Sequence, residues 1–125
     1  RLRDMPRSVI DSRVKTAAAF LDIPNILLKK LKSVSPADKQ RIALGRAIVC
    51  HPKILLVDED FARQNDHRRK EMLEDILRIN KELGITVLYV TNNPEEALSL
   101  NKRIIFMRDG KIEEDRQAEV EVPVN

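Results

Sequence analysis

Apolar residues along the chain follow two patterns, a recurrence of about 3.6 residues and short continuous runs, and their alternation lays out the elements. Ile10, Val14, Ala17, Ala18 and Leu21 recur at helical spacing behind Ser8-Val9-Ile10-Asp11, a capping-box-like start. A helix of about three to four turns is predicted there. Asp22-Ile23-Pro24-Asn25 interrupts it, and Ile26 to Leu31 predicts a short second helical piece. Ser35-Pro36-Ala37-Asp38 sets Ser at the N-cap, Pro at the first helical position and Asp at the third, predicting a helix that runs to Val49.

His51-Pro52 ends that helix, and the run Ile54-Leu55-Leu56-Val57 predicts a strand buried on both faces of a parallel sheet. Asp66 can cap a long helix carrying Met72, Leu73, Ile76, Leu77 and Leu83, with Gly84 as its C′ terminator. Ile85 to Val90 predicts a second buried strand. Asn93-Pro94-Glu95-Glu96 repeats the cap, Pro, acid pattern and starts a short helix. Ile104 to Met107, Asp109-Gly110 and Lys111-Ile112 predict strand, tight turn, strand, and from Glu113 the chain is charged and weakly patterned. Alternation of strands and helices after a helical N-terminal part gives an α/β class with a parallel sheet.

Composition narrows the function classes. A length of 125 residues suits one domain. Its three glycines, Gly45, Gly84 and Gly110, lie too far apart for a Gly-rich loop that wraps a phosphate. Three Phe, one Tyr and no Trp deny it the stacking platforms of single-strand binders, so no nucleic-acid partner is expected. The lone Cys50 excludes a disulfide framework and reads as a small buried residue in a reducing compartment. No apolar run approaches the roughly 18–20 residues of a membrane span, and a soluble chain is expected. His51 and His67 have no partner at metal spacing and read as surface residues, as does the basic cluster Arg68-Arg69-Lys70. Charge is uneven: residues 1–53 carry 12 basic and 4 acidic side chains, and residues 54–125 carry 11 and 16. A basic half suits anionic partners, although lysines and arginines spread through helices read first as solvated faces.

The strongest chemical signal is Ile54-Leu55-Leu56-Val57-Asp58-Glu59, an apolar strand closed by two carboxylates. Carboxyl ends of parallel strands line the ligand crevice, so these acids emerge where a ligand sits. One acid can hold Mg²⁺ through water while the next orients or deprotonates an attacking water.

An ordered series of motifs accompanies it: Leu2-Arg3-Asp4-Met5-Pro6, Ile10 to Val14, Ala17 to Ile23, Gln40 to Val49, Pro52-Lys53 and the strand to Glu59. Leu83-Gly84-Ile85-Thr86, Tyr89-Val90-Thr91, Glu95-Glu96-Ala97 and Asp109-Gly110-Lys111-Ile112 continue it. In this order the chain resembles the second half of an ABC-transporter nucleotide-binding domain, most closely the ATPase subunits of bacterial carbohydrate importers. The resemblance implies a helical subdomain over 1–50, a Walker B and switch part of a P-loop NTPase-type parallel sheet with flanking helices over 51–112, and a charged tail over 113–125. It implies ATP and Mg²⁺ as cofactors, Asp58 as the Walker B acid on Mg²⁺ and Glu59 as the base. It implies as partners a second nucleotide-binding subunit and transmembrane permease subunits, at the inner face of the cell membrane.

Several phosphate-contacting positions depart from the family. Its Leu-Ser-Gly-Gly-Gln signature corresponds to Val34-Ser35-Pro36-Ala37-Asp38, keeping only Ser35 for the partner subunit's nucleotide. Pro36 removes a backbone donor, Ala37 adds a methyl group, and Asp38 sets a negative charge toward a polyphosphate. The switch histidine corresponds to Asn92, which has no proton to exchange near neutral pH. After Walker B the chain reads Asp60-Phe61-Ala62-Arg63-Gln64-Asn65 in place of the family's Pro, Ser, Asn, Leu, Asp run, and Asp60 raises the pKa of Glu59 by like-charge repulsion. The family's Walker A, adenine-stacking residue and glutamine loop are expected upstream of Arg1. Two function classes therefore stand side by side: a transport ATPase subunit inactive alone, and a pseudo-ATPase retained as a docking module. A phospho-receiver reading of Lys53 to Asp60 fails, because no later strand supplies its acceptor Asp, Thr and Lys.

Overall fold

The computed structural model describes residues 4–58, 66–100 and 102–117 and divides into two compact units, Arg1–Tyr89 and Val90–Asn125. The first unit opens with α1 (Arg7–Phe20), two single 3₁₀ turns (Pro24–Ile26 and Leu31–Ser33) and α2 (Pro36–Ile48). There follow β1 (Ile54–Asp58), α3 (Asp66–Leu83) and β2 (Thr86–Val90). β1 and β2 form a two-stranded sheet, and the α3 crossover between them makes the pair parallel. The Thr86 amide donates to the Lys53 carbonyl at 3.1 Å at the start of that pairing.

Local chemistry explains most element boundaries, and departs from the sequence reading at several. α1 begins one residue before Ser8: the amides of Val9 and Ile10 both donate to the Pro6 carbonyl, so Pro6 is the N-cap and Ser8 lies inside the first turn. The helical piece expected over Ile26 to Leu31 is replaced by the two 3₁₀ turns. Asp66 is the first helical residue of α3; the cap position before it lies outside the described residues. Gly84 ends α3 at φ +66°, the left-handed conformation that glycine adopts without a Cβ penalty.

The core of this unit is aliphatic: Leu21, Ile23 and Ile26 from the region after α1, Leu44 and Ile48 from α2, Leu55 and Val57 from β1, and Met72, Ile76 and Ile79 from α3. Ile79 is fully buried, whereas Leu83, expected on the same stripe, is exposed. β1 buries only alternate residues. Leu55 and Val57 enter the core while Ile54 and Leu56 are exposed, Leu56 by 71%. Successive strand side chains point to opposite faces, and among the described residues the helical core covers one face only. The expectation of two buried faces is therefore corrected to one. Cys50 is exposed in the turn after α2, not buried. Arg68 and Arg69 are half-buried, and only Lys70 of that cluster is solvated.

The second unit holds α4 (Pro94–Ser99) and an antiparallel hairpin of β3 (Ile104–Arg108) and β4 (Lys111–Arg116). Asp109 and Gly110 both have positive φ, the geometry of a two-residue hairpin turn. Glu113 to Arg116, read as tail, continue β4, because Arg103 pairs with Asp115 at 2.6 and 2.9 Å and Arg116 lies over the Phe106 ring.

Candidate functional site

Ser35 occupies the N-cap of α2 in extended conformation, and the Asp38 amide donates to its Oγ at 3.2 Å. The Lys39 amide donates to the Ser35 carbonyl at 2.9 Å. The hydroxyl thus satisfies a donor of its own helix, one of the groups a bound anion would otherwise meet. Pro36 supplies no N–H donor at all, and Asp38 stands in the first turn, where its charge complements the helix dipole.

Asp58 is the last residue of β1 and is exposed. Apolar residues 54–57 commit the segment to the sheet, and the strand delivers the carboxylate at its carboxyl end. Among the described residues no group of three His, Cys, Asp or Glu side chains forms a metal cage. A single exposed carboxylate fits Mg²⁺ as one ligand of a largely water-filled shell, which is the ordinary manner of Mg²⁺ binding beside a nucleotide. Glu59, Asp60 and the loop to Asn65 lie outside the described residues.

Asn92 belongs to the second unit, exposed in the bend that leads to α4. Next to it the Asn93 amide donates to Thr91 Oγ1 at 3.1 Å, and Asn93 Oδ1 accepts from the amides of Glu95 and Glu96. That cap fixes the bend in which Asn92 is presented.

One charged cluster escaped the sequence reading. Asp75 lies on the buried stripe of α3, 7% exposed, and accepts from Arg41 Nε of α2 at 3.3 Å. Arg78 stands 3.8 Å from Asp75, donates to the Phe20 carbonyl at 3.1 Å and stacks over the Phe20 ring at 4.6 Å. Burial raises the Asp75 carboxyl above its ordinary value, against the opposing pull of Arg41 and Arg78. The signal was an acid inside an apolar stripe, three residues after Met72 and four before Ile79. Arg41, Asp75, Gln40, Leu44, Arg68 and Met72 line a cleft too small for any cofactor. Three helices are tied here. His67, by contrast, is a surface residue as expected, 3.3 Å from Glu71.

Comparisons with known proteins bear on this geometry. The ABC transporter family model matches residues 3–62. The spermidine/putrescine import ATP-binding protein PotA of Vibrio cholerae is 40% identical over 115 residues, 92% of this chain and 30% of that protein. The oligosaccharides import ATP-binding protein MsmX of Bacillus subtilis is 40% identical over 114 residues, 91% of this chain and 31% of that protein. The chain thus spans about a third of the length of these curated relatives. The structure of cbiO1 from Clostridium perfringens, part of an ABC transporter complex, superposes with a TM-score of 0.82 at 24% identity over 91% of this chain and 45% of its own, a likeness of fold. A family model over residues 3–62 and relatives 40% identical across nine-tenths of the sequence agree on one assignment: the chain belongs to the nucleotide-binding domain family of ABC transporters.

Proposed function

We propose that the chain is part of the ATP-binding subunit of an ABC importer and that by itself it neither holds ATP tightly nor hydrolyses it. The observation that carries the reading is Asp58 at the carboxyl end of β1, within a sequence 40% identical to import ATP-binding proteins over nine-tenths of its length. Asp58 holds the Mg²⁺ position and Glu59 the position of the base. Magnesium, when bound with nucleotide, neutralises phosphate charge. Residues 1–50 act as the helical part, 51–112 as the ATPase part and 113–125 as a charged terminal segment whose first four residues complete β4. The partners are a second nucleotide-binding subunit and permease subunits, and the place of work is the inner face of the membrane. Among the described residues no helix is long and apolar enough to cross that membrane. The solute is a carbohydrate on the motif resemblance; the PotA relative makes a polyamine the competing class.

The reading of inactivity is supported by Gly45, Gly84 and Gly110, too scattered to wrap a phosphate, and by Ser35-Pro36-Ala37-Asp38, where the engaged serine Oγ, the missing Pro36 N–H and the Asp38 charge all work against a phosphate offered by a partner subunit. Phosphate release from Mg-ATP by the 125-residue chain is expected not to exceed that of the Glu59→Gln variant. Robust turnover abolished by that substitution sinks the proposal of inactivity.

The same closed cap favours a second reading, a docking module with no nucleotide chemistry. It predicts co-purification with permease subunits that is indifferent to ATP and to Glu59→Gln. Capture that requires ATP and Glu59 supports the ATPase reading instead.

A further inference from the structure

We propose that the turn between the two 3₁₀ turns, tipped by Leu28, is a contact point for an anionic lipid surface. From residue 23 to residue 37 the sequence carries Lys29, Lys30 and Lys32 and no acid. All three lysines are exposed, and none is ion-paired among the described residues. The basic half of the chain thus gathers part of its charge on one protruding turn and not along a solvated helix face.

The protrusion is built, not frayed. Ile26 before it and Val34 after it are both buried in the core. Between them the Lys29 amide donates to the Ile26 carbonyl at 3.0 Å, and the Ser33 amide and hydroxyl donate to the Lys30 carbonyl at 2.9 and 2.8 Å. At its summit Leu28 is 99% exposed and Leu27 44%. Scattered surface leucines are ordinary, but a side chain with almost no contact to its own protein, held among three cations, has a particular complement. Ammonium groups meet headgroup phosphates while the isobutyl group passes between them into the acyl boundary. A protein groove would need a shape-matched apolar patch around Leu28; a bilayer accepts Leu28 with only the half-exposed Leu27 beside it. Lipid is therefore the occupant the geometry favours. The inference rests on this turn alone and not on the nucleotide reading.

Each basic residue near an anionic surface contributes about fivefold in partitioning, from about 1 kcal/mol apiece, so the three lysines together give about 100-fold. The test is co-sedimentation of the 125-residue chain with phosphatidylcholine vesicles, with and without phosphatidylglycerol. Binding is expected only with phosphatidylglycerol, weakening as salt rises, and lost in a Lys29→Glu, Lys30→Glu, Lys32→Glu variant. The chain has no Trp, so Leu28→Trp adds a single fluorophore at the tip. Its emission is expected to shift to the blue on the anionic vesicles alone. Equal binding to both vesicle types overturns the proposal, as does binding that survives the triple charge reversal, or binding with no shift at position 28. Absence of vesicle binding together with retention on an acidic protein column overturns it in favour of a protein partner.

Discussion

Gly45 stands in the middle of α2, where glycine is about 1 kcal/mol less favourable than alanine. A Cβ built there meets only Leu21 Cδ1 at 3.5 Å, ordinary van der Waals contact with a side-chain end. Gly45→Ala is therefore expected to raise stability by about 0.5–1 kcal/mol, read as a higher urea midpoint with an unchanged slope. A lower midpoint means that the α1–α2 packing at Leu21 has no room for one methyl group. Ser35 shows what is legible at this scale: its cap depends on four consecutive residues and was readable from them. Ser8 shows the limit, because an equally good capping residue lost to Pro6, whose extended backbone and carbonyl start the helix two residues earlier than a Ser8 cap would. The expectation of a buried Cys50 fails for a related reason: its apolar predecessors belong to the helix, and the chain turns outward once the helix has ended.

At the scale of elements, periodicity located α1, α2, α3 and both strands of the first unit, since each has to hide one face. It could not say what lies opposite each face. The consecutive apolar residues of β1 read as doubly buried, yet only Leu55 and Val57 meet the helices. Nor could it see that α2 and α3 are joined through charge. Asp75 supplies a test of that junction. Its carboxyl stands above the ordinary value of 3.8 because burial disfavours the charged form more than Arg41 favours it. A carboxyl raised in the native state binds protons more tightly folded than unfolded. The stability it contributes is fully present below pH 3.8 and is lost as pH rises through the raised native value. Asp75→Asn removes this titration, so the variant's stability should decline less than the parent's as pH rises from 3.8. Urea midpoints across that window decide it; parallel profiles would falsify the assignment of burial as the dominant cause.

For the whole molecule, the candidate site was legible where it depends on a strand end. Asp58 was placed at a strand end by the run that precedes it, while the departures proposed at Ser35 to Asp38 and at Asn92 rest on the family pattern and not on the run of residues around them. The open sheet face of the first unit was not legible at all. Ile54 and Leu56 on β1 and Leu88 on β2 are all exposed, while Leu55, Val57 and Val87 pack into or against the core. Each such side chain forgoes about 1.5–3 kcal/mol of burial, a cost that a larger assembly would recover.

That account separates two roles for similar residues on adjacent positions. Leu56→Lys and Leu88→Lys place charges at positions that are exposed among the described residues, so both variants should unfold within about 0.5 kcal/mol of the parent. Leu55→Ala removes core packing and should cost about 2–5 kcal/mol. Binding of an environment-sensitive apolar dye to the native chain should fall in the two lysine variants. If Leu56→Lys destabilises as much as Leu55→Ala, the second face of β1 is covered within these 125 residues, and the account of an uncovered strand face fails with it.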